Sequence, residues 1–75
     1  MKLQIKYNVD TFSWDVVEEA SGKAYASAYY YNNKPEIEYN ISDVRMSYPE
    51  YEDFNMYIKM AVDNACRDYY DIIGG

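Results

Sequence analysis

The chain has 75 residues, a formal net charge of −6, a single cysteine, eleven tyrosines and no histidine. One domain is the most that this length supports, and a chain this short buries only about 60% of the surface its unfolded form exposes. With one cysteine there is no internal disulfide, with no histidine there is no imidazole base or imidazole metal ligand, and with excess acid there is no cationic surface for nucleic acid or anionic lipid.

Apolar residues make up 49% of the sequence and follow clear periods, so the acidity does not predict disorder. Leu3, Ile5, Tyr7 and Val9 alternate with Lys2, Gln4, Lys6 and Asn8, the pattern of a half-buried strand and not of a secretory leader. Asp10-Thr11 suits a turn. Phe12, Trp14 and Val16 then alternate with Ser13, Asp15 and Val17 in a second strand that runs to about residue 20. After Ser21-Gly22 a third strand spans roughly residues 23–31. Its even positions are Ala24, Ala26, Ala28 and Tyr30, and its odd positions include Tyr25, Tyr29 and Tyr31. Asn32-Asn33-Lys34-Pro35 turns the chain, and Ile37, Tyr39 and Ile41 alternate with Glu36, Glu38 and Asn40 in a fourth strand.

The period changes near Ser42. Ser47 and Glu50 have the spacing of a capping box, with Pro49 tolerated in the first turn. The helix they open extends over about residues 48–73 and stops at Gly74. At about 100° per residue, Phe54, Ile58, Ala61, Val62, Ala65, Tyr69 and Ile72 form one apolar stripe. The expected fold is α+β: a four-stranded antiparallel meander within residues 2–42, one C-terminal helix on one face, and a single domain over 1–75. The small alanines of the third strand should lie under the helix. The terminal diglycine resembles the ends of ubiquitin-like modifiers, but the helix that precedes it makes a glycine stop the better account.

Few residues point to chemistry. Cys66 sits at the edge of the apolar stripe and reads as a small buried residue, since nothing marks a cationic activator beside it. Asp15 with Glu19, and Glu36 with Glu38, are carboxylate pairs of the kind hydrolases use, yet on exposed strand positions they read as solvated charge. No calcium-loop spacing occurs. The expectation is a non-enzymatic protein without cofactor or metal, cytoplasmic, with no membrane span and no direct contact to nucleic acid.

Two surfaces then stand out. Opposite the apolar stripe the helix carries Glu52, Asp53, Met56, Met60, Asp63, Tyr70 and Asp71; two methionines one turn apart on a polar face suit a partner surface. The second is the open sheet face, expected to display Tyr25, Tyr29 and Tyr31 beside Glu36 and Glu38, tyrosine being a frequent interface anchor.

The acid-and-tyrosine segments Tyr48-Pro49-Glu50-Tyr51-Glu52-Asp53 and Asp68-Tyr69-Tyr70-Asp71, in so small a chain without a catalytic set, resemble the acidic inhibitors of bacteriophages and mobile elements, anti-CRISPR and anti-restriction proteins among them. That resemblance implies mimicry of nucleic acid. Carboxylates would stand in for phosphates in a basic channel of a host effector, in the host cytoplasm. DNA presents about one charge per 1.7 Å of axis, whereas a helix face presents one per turn of about 5.4 Å, so apolar anchors would have to add affinity. The competing expectation is a module that dimerises through the tyrosine-rich sheet face or an edge strand.

Overall fold

A computed structural model describes residues 2–41 and 44–74, with side chains described as far as Asp71. Four strands, β1 (Leu3–Asn8), β2 (Ser13–Glu18), β3 (Ala24–Tyr31) and β4 (Lys34–Tyr39), form one antiparallel sheet in the order β1-β2-β3-β4. One helix, α1 (Tyr48–Gly74), lies across it. This is the α+β two-layer meander that the sequence predicts.

The turns explain the register. Asn32 and Asn33 have φ of 53° and 63°, the left-handed pair that a two-residue hairpin of right-handed twist requires and that asparagine tolerates well. That tight turn frees Lys34 and Pro35 to enter β4 instead of completing a longer turn, and Pro35 is accommodated because β4 is an edge strand. Residues 9–12 connect β1 to β2, where Asp10 N–H donates to Asn8 Oδ1 at 3.0 Å. Val9 and Phe12, expected to extend the two strands, belong to this turn and are 69% and 76% exposed.

The helix start follows its sequence signal. Ser47 N–H donates to Glu50 Oε1 at 3.0 Å, and Glu50 N–H donates back to Ser47 Oγ at 3.4 Å. Two amides at a terminus that lacks helical acceptors are thereby satisfied. Hydrogen bonding with Ser47, against the opposing effect of desolvation, also holds the Glu50 carboxyl below its ordinary range. The 27 residues of α1 rise about 1.5 Å each, which matches the 40 Å long axis of the molecule. The strands, six or eight residues long, reach only about 20–26 Å. The helix therefore overhangs the sheet.

Leu3, Val16, Tyr25, Ala26 and Ala28 of the sheet meet Phe54, Ile58 and Ala61 of α1 in one core, with Ile5, Trp14, Ile37, Tyr57 and Val62 packed around it at partial exposure. Ile41, Val44 and Met46 of the connection before α1 join the same cluster. Ala65 is also buried. The expected stripe residue Ile72 lies outside the described side chains, as the expected change of period at Ser42 lies outside the described residues. Phe54 sits edge-on to Tyr39, and Tyr69 stacks on Tyr30. Since Ala26 pairs with Tyr39 and Tyr30 lies four residues further along, α1 runs in the direction of β3.

One expectation about the faces fails. Val16 pairs with Ala26 but Val17 pairs with Ala24, so Tyr25 is the extra residue of a β-bulge. An inserted residue reverses the alternation on one side of it. Tyr25 therefore points into the core at 5% exposure, away from the open face that carries Tyr29, and Ala24 leaves the row of alanines beneath the helix. The Tyr25 hydroxyl donates to Glu18 Oε2 at 2.7 Å, which keeps a polar atom satisfied at the edge of an apolar cluster.

Candidate functional site

At about 100° per residue, Glu52, Asp53, Met56, Met60, Asp63, Tyr70 and Asp71 fall within one arc of α1 opposite the row Phe54, Ile58, Ala61 and Ala65. All seven are exposed, and all four of that row are buried. Met56 is 55% and Met60 47% exposed, one turn apart among the carboxylates. Arg67 shares the arc and donates through Nη2 to Asn64 Oδ1 at 3.0 Å. Over its whole length α1 sets Glu50, Glu52, Asp53, Asp63, Asp68 and Asp71 against Lys59 and Arg67, with no basic residue in the last turn.

The open sheet face differs from its expected make-up. Tyr29, Tyr31, Glu36 and Glu38 share it; Tyr25 does not, for the reason given above. Lys34 Nζ pairs with Glu36 Oε1 at 3.4 Å across solvent, a contact of little energetic consequence. Cross-strand pairing lines up Lys6, Asp15, Ser27 and Glu38 in one row. Here the sequence reading misses a feature: Asp15 is only 8% exposed, although it faces away from the helix. Ser13 Oγ donates to Asp15 Oδ1 at 2.8 Å, Asn8 Nδ2 approaches Oδ2 at 3.3 Å, and the hydroxyls of Thr11 and Ser13 lie 2.7 Å apart. A carboxylate with such partners is a satisfied structural group, and its pairing with Glu19 does not arise because Glu19 lies in the turn beyond β2. The signal was present in Asn8-x-x-Thr11-x-Ser13-x-Asp15, polar residues converging on one turn. The hollow they border, shared with Ser27, Tyr29 and Glu38, measures about 390 Å³.

A third region has no counterpart among the expected sites. Where α1 passes over the β1–β2 turn, Tyr7, Phe12, Trp14, Tyr30 and Tyr69 surround a cleft of about 240 Å³, with Ala65 and Asp68 completing its lining. The Tyr7 and Trp14 rings are tilted by 58° at 5.2 Å; Tyr30 and Tyr69 stack at 4.0 Å and 11°. Trp14 Nε1 donates to Asp68 Oδ2 at 2.7 Å. The Tyr69 hydroxyl donates to Asn33 Oδ1, tying the helix to the β3–β4 turn. Burial, and then hydrogen bonding with Tyr70, push the Tyr30 hydroxyl above the ordinary tyrosine range. Aromatic residues spread over β1, β2, β3, α1 and the β1–β2 turn give no local motif, so the cleft appears only once the strands are paired and the helix is placed.

Cys66 is free and only half-buried on α1, at the edge of the apolar stripe, where the sequence predicts a buried residue. No group of histidine, cysteine and carboxylate residues among those described has a metal-binding arrangement. Among the described residues no helix is long and apolar enough to cross a membrane. The chain matches no protein-family model, no curated protein and no solved structure.

Proposed function

We propose that this is a non-enzymatic binding protein that docks the outer face of α1 onto a basic site of another protein, and that the site it occupies ordinarily binds nucleic acid. The observation that carries this reading is the single exposed arc of Glu52, Asp53, Met56, Met60, Asp63, Tyr70 and Asp71 along a helix as long as the molecule. Long-range attraction from the carboxylates steers the approach. Met56, Met60 and Tyr70 supply the short-range contact that charge alone does not give, because methionine adapts its shape to a partner. This is the inhibitor mechanism of the phage-type acidic proteins that the chain resembles, with a host defence effector as the target.

A second reading is favoured by the sheet face, where no described element covers Tyr29 and Tyr31 and no described strand pairs with the outer edges of β1 and β4. In it the protein pairs with a second copy of itself.

The test begins with capture from a bacterial lysate, with and without competing DNA, followed by association kinetics on the isolated partner at two salt concentrations. Asp53→Lys with Asp63→Lys should slow association and flatten its salt dependence. Met56→Ala should instead speed dissociation. Capture that DNA does not compete, with kinetics unchanged in all three substitutions, refutes the helix-face reading. Sedimentation that depends on concentration, lost on Tyr29→Ala with Tyr31→Ala, would establish the second.

A further inference from the structure

We infer that the aromatic cleft at the β1–β2 end of the molecule is a receptor for a guanidinium group, the side chain of an arginine presented by a polypeptide partner. Four observations converge on it. Five aromatic residues line it, and the negative π-faces of such rings attract cations. The one charged residue lining the cleft is Asp68, and no lysine or arginine takes part. Asp68 spends Oδ2 on the Trp14 indole, which fixes the carboxylate and leaves Oδ1 without a partner among the described residues. The volume of about 240 Å³ lies below the usual range for small-molecule pockets of about 300–1,000 Å³, a size for the end of one side chain.

The fourth observation is Phe12. It is 76% exposed and holds φ at 53°, a left-handed conformation uncommon for non-glycine residues and least suited to bulky ones. Its exposure shows that core packing does not retain a phenylalanine there. Its ring forms part of the cleft, and a bound side chain would account for both features.

Guanidinium is preferred over ammonium for geometric reasons. It is planar, it stacks on an aromatic ring while donating in its own plane to a carboxylate, and it is less strongly hydrated. The net charge of −6 draws such a group in. Naming a partner's arginine as its source rests on the reading that the partner is a basic protein; the affinity of the cleft for guanidinium does not. The cleft and the outer helix arc are separate surfaces that one partner could engage together.

The test needs no partner. Trp14 is the only tryptophan in the chain, so its emission reports on the cleft directly, and amide shifts of Tyr7, Phe12, Tyr30, Asp68 and Tyr69 report on its walls. N-acetyl-arginine amide should perturb both, saturating in the millimolar range. N-acetyl-citrulline amide, the neutral analogue of the same shape, should bind about three- to tenfold more weakly. Asp68→Asn keeps an acceptor for the indole while removing the charge, and should weaken arginine binding by a similar factor without affecting citrulline. Phe12→Asn removes a ring wall and suits the left-handed backbone, so it should weaken binding while the melting temperature holds or rises. Equal affinity for arginine and citrulline, or unchanged affinity in both variants, overturns the inference. Because the titration involves only the isolated protein, its failure would leave the helix-face proposal standing, and failure of partner capture would leave the guanidinium site standing.

Discussion

Replacing Phe54 by alanine tests the helix orientation on which the binding proposal depends. Phe54 is 1% exposed, lies in the cluster with Leu3, Val16, Tyr25 and Ile58, and meets Tyr39 edge-on at 6.5 Å. Truncating a buried phenylalanine loses its transfer free energy and leaves a cavity, together about 3–5 kcal/mol. A chain of 75 residues has about 4–11 kcal/mol of stability in all, so Phe54→Ala should remove at least about a quarter of it and, at the lower end of that range, all of it. In a domain this small about 1 kcal/mol moves the melting temperature by roughly 4–8 °C, and the drop should be at least about 12 °C. Met56, two residues further on, is 55% exposed; Met56→Ala should change stability by no more than about 0.5 kcal/mol. Urea unfolding of the two variants, with unchanged slope, supplies the comparison. If Phe54→Ala costs less than about 1 kcal/mol, or Met56→Ala costs as much as Phe54→Ala, the helix presents a different face and the exposed arc is misassigned.

The other expectations concern the ends of the elements. Ser47→Ala removes the side-chain acceptor for Glu50 N–H and should lower stability by about 1 kcal/mol, whereas Ser47→Gly should cost only a few tenths; equal losses would argue against the cap. The Tyr25 hydrogen bond, then that of Ser21, lowers the Glu18 carboxyl, and the same bond followed by burial raises the Tyr25 hydroxyl. A lowered carboxyl contributes stability above its unfolded value of about 4.3 that is lost as pH falls through the folded value. A raised phenol contributes stability below about 10 that is lost as pH rises through the folded value. Tyr25→Phe should therefore flatten the dependence of melting temperature on pH at both ends, and a profile parallel to the parent's would count against the bond.

How far the sequence discloses the fold depends on how local each signal is. Period two, period 3.6, the Ser47–Glu50 spacing and the paired asparagines are neighbour effects, and each yields the correct element. The bulge is different. Nothing in Lys23-Ala24-Tyr25-Ala26 distinguishes an extra residue from regular alternation, because both put small and aromatic residues in turn. Only the pairing of β3 with β2 decides it, and one such residue moves Tyr25 from the expected interface into the core. Asp15 is concealed for the opposite reason: a polar residue on an outer face reads as solvated, and its burial follows from the convergence of Asn8, Thr11 and Ser13. The helix arc was legible because exposure on an isolated helix follows from angle alone. The aromatic cleft was not, since Tyr7, Trp14, Tyr30 and Tyr69 approach only through register and helix placement.

The two ends of the molecule are built on different terms. At the start of α1 every local rule is kept: a reciprocal cap, an acidic residue in the first turn, and Ile41, Val44 and Met46 folded onto the core. At the other end three costs accumulate. Phe12 occupies a left-handed conformation with its ring in solvent. Asp71 sits near the helix C-terminus, where the dipole disfavours an anion, and the last turn has no basic residue. Tyr7, in the lining of the cleft, is 42% exposed. Each cost is modest, yet a small domain has little stability to spare, and Phe12 and Tyr7 both line the aromatic cleft. Exposed aromatic rings are unfavourable for folding alone, and they favour a bound cation. A guanidinium ligand in the cleft is thus a common physical reason for the exposure of Phe12 and Tyr7, which the packing of the isolated chain leaves unexplained.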